Sequence, residues 1–451
     1  MKFLLLLLCS LLVLTTAQAQ KKNKKKQEKQ PAQELAVHPP TVKMFDELAA
    51  SYASFVPDRF VHARGAGAYG EFVCSSDWSD YTQASIFSKR GQKNPIFVRF
   101  STVVGGSNSP EVVRDLRGMA IKFYTPEGNY DLLGHHLLVF LLREPIKFNR
   151  LIEQVKSGDP NKIFGFMAEN PETLHMLSRL YSHLGTPKSF RHLDACSVNA
   201  YKWRNKAGKM YYVKYTWRSK EGFQSLSSSE MKDLLAANPY AHSNDLQEKI
   251  AQGQFPSWDL YVQILRPGDL DKLAYNPLDA TKLWGEEAAP YRLLGTFTLN
   301  RNPEDVAREV EASAFAPANL IPGIEPSEDR LLQARMFSYP VASRNRLGDE
   351  YMKIGVNQTQ NPAQAQANYS VEILADSTLV QLQQKKTEDF LQPGEFFRSL
   401  SPSQQAELMD NLSADLRAVK DPAVVLQIVR HCQLADPRYG QGLAERLGIE
   451  L

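Results

Sequence analysis

The chain reads as an α+β protein built on a mostly antiparallel sheet and ending in helices. Three observations predict this. Phe97, Arg99 and Ser101 alternate with Ile96, Val98 and Phe100, the period of a strand. Across residues 161–184 the apolar spacing becomes helical. Beyond residue 400 three helix starts follow: Ser401-Pro402-Ser403-Gln404 reads as a capping box with proline at the first helical position, and Asp421-Pro422 and Asp436-Pro437 open helices in the same way. The 451 residues, 43% hydrophobic, can bury a large core in one domain or two.

Residues 1–19 have the form of an export signal. Lys2 supplies the positive start, residues 3–14 are nearly all apolar, and Ala17-Gln18-Ala19 is a small-residue cleavage site. That run falls short of the ~20 residues needed to span a bilayer, and charges interrupt every later apolar stretch. Cys9 lies inside the run, but Leu8 before it is too large for a lipoprotein cleavage site. The expectation is a mature chain starting near Gln20, in a periplasm or secreted, with no membrane span. Residues 20–44 read as a basic, disordered linker and arm containing KKNKKKQEKQ. Cleavage lowers the net charge from +3 to +2, and without the six lysines and one glutamate of residues 21–30 the rest carries −3. The folded body is therefore not basic, which argues against nucleic acid as a partner. Cys74, Cys196 and Cys432 form no CxxC, no CxxCH and no even framework of bridges.

Residues 59–143 carry a strand-like pattern, with candidates at 118–124 and 137–142. Further strands are expected at 209–217, 262–266 and 291–299. Residues 303–330, with four prolines and one glycine, predict a long wrapping connection with a short helical stretch at 304–312. Next, LLQARMFSYPVASRNR places Arg335 and Tyr339 four apart, on one face of a helix. A guanidinium beside a phenol oxygen favours the phenolate. A phenolate is a hard, anionic donor suited to ferric iron. By itself such a pair is more often a packing feature. Leu408, Leu412, Leu416 and Val419 form the apolar stripe of the first C-terminal helix.

Five motifs stand in a telling order: RFVHARGAG at 59–67, FVRFST at 97–102, RDLRGMAIKFY at 114–124, LNRNP at 299–303 and RMFSYP at 335–340. In order and rough spacing they resemble the haem catalases, from about residue 45 to the last. The resemblance implies a closed antiparallel β-barrel with a wrapping segment over 45–385 and a C-terminal helical bundle over 386–451. Since the chain stops at Leu451, the flavodoxin-like domain of large-subunit members is not expected. The resemblance also implies non-covalent haem b, with Tyr339 as the iron ligand and Arg335 beside it, since tyrosine is the axial haem ligand of that family.

Further roles come from the resemblance alone. His62, a lone histidine in a strand pattern, would otherwise read as a core residue; the resemblance makes it the distal group that moves a proton between peroxide oxygens. Val61 and Ser101 match residues flanking the distal pocket. Arg59, Arg99 and Arg346 match arginines facing the haem propionates, where buried carboxylates need paired cations. Phe148 matches an aromatic near the distal haem face. One departure stands out: in DLLGHH, His135 occupies the place of a family asparagine, followed by His136. A histidine is larger and can charge. An unperturbed pKa near ~6.5 would make activity depend on pH between about 5 and 7, coupled to His62. Arg179 and Leu184 replace an aromatic and an arginine of NADPH-binding members, and Asp194 replaces a neutral amide, although His175 and Arg218 remain compatible. Bound NADPH is therefore not expected. The expected assembly is a homo-oligomer, tetramer or dimer. The leading reading is a catalase that turns hydrogen peroxide into water and oxygen; the alternative is a peroxidase on the same fold that oxidises an organic donor. A haem-binding protein without turnover is disfavoured because both His62 and Tyr339 are present.

Overall fold

The computed structural model describes residues 49–50, 57–360 and 386–451. The expected export signal, the whole of the basic arm at 20–44 and the junction placed at 385/386 lie outside the described residues. Ten strands occur among those described: β1 (Gly65–Cys74), β2 (Lys93–Thr102), β3 (Arg117–Thr125), β4 (Gly128–His135), β5 (Ala195–Cys196), β6 (Tyr201–Arg204), β7 (Met210–Ser219), β8 (Ser257–Leu265), β9 (Arg292–Arg301) and β10 (Ile324–Pro326). The sheet runs β7-β5-β4-β3-β2-β1-β9-β8, and β8 pairs back onto β7. Eight antiparallel strands thus close a barrel, which leaves its ring without an open edge. β6 and β10 extend the sheet beyond β7. Period-two alternation fills the core with large side chains, including Phe72, Phe100, Trp203, Trp217, Trp258 and Phe297.

The strand expected at 137–142 is not formed. β4 instead precedes it, returning from β3 through Pro126 and Glu127, with Thr125 opposite Gly128. Its central Asp131 hides it from a hydrophobic pattern, yet Asp131 is buried against Lys122 at 2.7 Å, with both side chains inaccessible. The apolar run after it is loop. Leu138 takes a positive φ of 67°, and Leu137, Val139 and Leu142 are buried without a strand partner.

Six helices precede residue 360 among those described: α1 (Lys147–Lys156), α2 (Pro160–Glu169), α3 (Leu174–Tyr181), α4 (Ser228–Ala237), α5 (Ala241–Ala251) and α6 (Arg330–Leu347). The wrapping segment carries a π-helical turn, Val306–Glu311, where a short helical stretch was expected. Asp131 fastens it by accepting from the Ala316 amide at 3.0 Å and Asn319 Nδ2 at 2.7 Å. The C-terminal helices are α7 (Leu391–Ser399), α8 (Pro402–Leu416), α9 (Pro422–Ala435) and α10 (Pro437–Leu447). Ser401 and Gln404 form the capping box, and Asp421 and Asp436 cap α9 and α10. Leu408, Leu412 and Leu416 pack with Ile428, Tyr439 and Leu443 against Phe164 of α2 and Leu177 of α3. No helix among the described residues is long and apolar enough to cross a membrane.

Candidate active site

Helix α6 sets one wall. Asp329 caps it by accepting from the Leu331 and Leu332 amides at 2.9 and 3.1 Å. One turn of spacing then places Arg335 Nη2 3.1 Å from the Tyr339 phenol oxygen, to which it donates. Pro340 lacks the amide that would bond the carbonyl one turn back, so the helix ladder is interrupted beside Tyr339. Arg335 also donates to Asn199, and Asn199 Nδ2 donates to Asp329 Oδ2 at 2.7 Å. The N-cap, a fully buried amide, the guanidinium and the phenol therefore form one chain of contacts. Asn199 follows Val198, whose φ of 52° is strained for a β-branched residue. Burial pushes the Asp329 carboxyl up to about 6, against the hydrogen bond from Asn199.

His62 does not sit in a strand. It precedes β1 at a φ of 64°. Its amide donates to Val103 O at 3.0 Å, and Arg99 donates to the carbonyls of His62 and Ala63 at 2.9 and 3.0 Å. These bonds hold a backbone conformation that would otherwise be unfavourable by about 1–3 kcal/mol. Nδ1 of His62 lies 2.9 Å from Ser101 Oγ, which fixes the ring and leaves Nε2 free. Burial, with Arg99, Arg335 and Arg59 nearby, pushes the His62 pKa down to about 3. Gly118 makes the approach possible: a Cβ there would stand 2.7 Å from both His62 Cε1 and Ser101 Oγ.

Arg59, Arg99 and Arg346 meet at residues 310–313. Arg59 bonds Glu311 Oε2 at 2.8 Å and the carbonyls of Val310, Glu311 and Ser313; Arg346 bonds the carbonyls of Glu311 and Ser313. Arg99 lies 3.6 Å from Glu311 Oε1. Burial lowers the pKa of all three, that of Arg346 to about 9, with Arg59 reinforcing the effect on the other two.

His135 ends β4 with its side chain buried and both ring nitrogens without a hydrogen-bond partner; its ring centroid lies 5.9 Å from that of Phe140. Burial first, then His136 and Arg335, holds its pKa well below the ordinary imidazole value. His136 faces elsewhere: Nδ1 accepts from the Arg117 amide and Nε2 donates to Leu184 O, both at 2.8 Å.

One cavity joins these parts, with about 200 Å³ open to the centre of a water molecule. Arg59, Val61, His62, Arg99, Ser101, His135, Phe148, Arg335, Tyr339 and Arg346 all line it. Small side chains on the α6 wall, Ala334, Ser338 and Ala342, leave room for a flat ligand. Arg59 and Arg99 share the single carboxylate of Glu311 while Arg346 reaches only backbone carbonyls, and Arg99 Nε, Arg335 Nε and both His135 nitrogens are buried without partners. Such a set suits a large apolar ring that carries acidic groups and a metal with an open coordination position. Sequence reasoning missed Asn199, Asp329, Gly118 and Glu311. Asp329 carried a readable signal, an acidic N-cap before an apolar run; Asn199 carried none.

The residues weighed for NADPH are engaged internally. Asp194 accepts from the Ser219 amide at 2.9 Å. Arg179 lies over Phe396 and donates to His175 Nε2 at 3.2 Å, while His175 Nδ1 contacts Thr281 O. Arg218 stacks on Tyr291 at 4.5 Å.

A catalase family model matches residues 15–388, and a catalase-related immune-responsive model matches residues 383–447. A catalase of Vibrio parahaemolyticus is 42% identical over 446 residues, covering 91% of this chain and 88% of that protein. A catalase of Pseudomonas aeruginosa is 39% identical over 447 residues, covering 91% and 86%. Among solved structures, a bacterial catalase superposes with a TM-score of 0.80 at 30% identity, covering 93% of each chain. A fungal catalase gives 0.78 at 29%, covering 93% and 94%. The barrel, the helices and the cavity are thus those of a haem-enzyme fold, and the chain belongs to the catalase family. It is an enzyme acting on hydrogen peroxide.

Proposed function

We propose that the chain is an exported catalase that holds haem b through Tyr339 and decomposes hydrogen peroxide to water and oxygen. The observation that carries this is the opening of two pairs, Arg335–Tyr339 and Ser101–His62, onto one cavity. Bound haem iron supplies the redox chemistry that no side chain here can. Arg335 steadies negative charge on the Tyr339 oxygen, and Asn199 and Asp329 keep Arg335 aimed. Arg59, Arg99 and Arg346 would pair with the propionates, with Arg59 and Arg99 sharing or releasing Glu311. His62 enters neutral. Its Nε2 takes the proton from one peroxide oxygen and returns it to the other, help typically worth ~10²–10⁴-fold. Ser101 holds the tautomer that permits this.

Purified enzyme should evolve oxygen from peroxide, and acid-acetone should extract its haem because no CxxCH exists. Tyr339→Phe should change the ferric spectrum and abolish most turnover. A spectrum showing histidine or thiolate ligation would rule the assignment out. Residues 1–19 support export: the native N-terminus should begin near Gln20, and an intact Met1 on soluble cytoplasmic protein would refute it. The assembly is proposed to be a homo-oligomer, dimer or tetramer.

His135 favours a second reading, a peroxidase on this fold. It lines the cavity with both ring nitrogens unpartnered, at the place where the family asparagine would offer a neutral donor. Oxidation of phenolic donors that outpaces oxygen evolution would establish it.

A further inference from the structure

We propose that a ladder of aromatic side chains carries oxidising equivalents from the Tyr339 wall to Trp78 and Tyr81, where a phenolic donor is oxidised at the protein surface. The inference rests on the reading that haem binds at Tyr339.

The inner end is Tyr201 on β6. It pairs across the sheet with Pro326, three residues before the Asp329 cap, and Asn199, two residues earlier, holds Arg335. The charges of Arg335 and Tyr339 both reach Tyr201. From Tyr201 the ring centroids step 6.1 Å to Tyr215, 6.1 Å to Trp203, 6.0 Å to Trp78 and 5.9 Å to Tyr81. Trp203 Nε1 also donates to the Tyr215 phenol at 2.6 Å. Every rung is a tyrosine or tryptophan, the side chains that lose an electron most readily; the neighbouring Phe87 cannot serve. Each of these four steps, from Tyr201 outward, lies within ordinary ring-packing distance.

The ends differ in proton chemistry. A tyrosyl radical is stabilised when its phenol proton finds an acceptor. Tyr201 Oη and Trp78 Nε1 are buried without hydrogen-bond partners, so a hole has no place to settle there. Tyr81 is half-buried and can release its proton to water. Exposed Arg292 lies 5.0 Å from the Trp78 ring centroid and 4.9 Å from that of Tyr81. A cation over these rings disfavours loss of an electron, so a radical formed there is a stronger oxidant.

The balance is simple. One hydrogen peroxide accepts two electrons and two protons and becomes two waters. When a second peroxide does not supply those electrons, they pass inward along the ladder one at a time. Tyr81 gives up an electron and its phenol proton, and a phenolic donor restores both as a hydrogen atom. One peroxide and two phenols thus give two waters and two phenoxyl radicals.

The test uses full-length haem-loaded enzyme mixed with limiting peroxide and a nitroso spin trap, without donor. Peptide mass spectrometry should locate the adduct on Tyr81, and rapid-freeze electron paramagnetic resonance should show an aromatic radical. Tyr215→Phe removes one oxygen and keeps the ring; it should cut the surface adduct several-fold. Tyr81→Phe should lower phenol oxidation several-fold while oxygen evolution is retained. An adduct unchanged in Tyr215→Phe, or confined to residues lining the cavity, would overturn the ladder while leaving the haem assignment intact. Absence of a haem absorption band on the loaded wild type would instead defeat the cofactor reading, and the ladder with it.

Discussion

His62 and His135 face one cavity as neutral imidazoles, the first with a pKa held near 3 and the second well below its ordinary value. Both folded values lie below the unfolded ~6.5, so neither ring gains a proton as pH falls from about 7 to 5. The sequence suggested a coupled pH dependence in that window; burial of both rings works against it. Oxygen evolution per folded molecule should be flat between about pH 5 and 7, and initial rates with an inflection near ~6.5 would refute this. His135→Asn should raise oxygen evolution several-fold by trading a bulky ring for a neutral donor. If dismutation and donor oxidation both fall, His135 takes part in the native mechanism. Gly118→Ala should crowd His62 and Ser101 together. Overpacking of this kind costs typically ~1–3 kcal/mol, and turnover should drop more than melting temperature does, since the clash falls on the proton-handling pair.

Helix α6 is the element on which the site depends. Its cap also orients its chemistry, because Asp329 holds Asn199 and Asn199 holds Arg335. Asn199→Ala should leave a buried guanidinium short of an acceptor, a loss of about 1–3 kcal/mol. The ferric absorption spectrum of haem-loaded protein should shift as well; an unchanged spectrum with lowered stability would make Asn199 a packing residue only. The C-terminal helices contribute no side chain to the lining of the cavity. Asp436 caps α10 through the Arg438 amide at 2.9 Å. Asp436→Ala should lower stability by about 0.5–2 kcal/mol, measured by denaturant unfolding, with turnover unchanged.

At the scale of the whole molecule, buried histidines set the response to acid. His135, His136, His175 and His242 are all buried, and burial holds each pKa below the ordinary value, that of His136 at about 3. The unfolded chain takes up protons below ~6.5 that the folded chain refuses, so stability falls as pH drops, by up to about 1.4 kcal/mol per pH unit for each histidine. Asp115, Asp131 and Asp329 are shifted upward and oppose this between ~3.8 and their raised folded values, with Asp329 reaching about 6. The histidines prevail in number and in width of range. Activity and circular dichroism should therefore be lost together on acidification; activity lost well before structure would mean that a site group titrates first.

The sequence by itself determined the elements whose signals are local. Strand alternation through Arg99, the cap residues at Ser401, Asp421 and Asp436, and the four-residue spacing of Arg335 and Tyr339 depend on near neighbours in the chain, and five ordered motifs were enough to identify the family. Only the tertiary structure decided what depends on distant partners. Asp131 interrupts the apolar pattern of β4, and only the fold supplies Lys122 and the wrapping segment as its partners. The 137–142 run looked like a strand because it is apolar, but its burial comes from packing and not from a ladder. His62 reached its position through a positive φ held by Arg99. Asn199 became part of the site because the fold brings it to Arg335 from 136 residues away. Local periodicity carries no information about which distant groups will desolvate a side chain, pair with it or leave it without a partner.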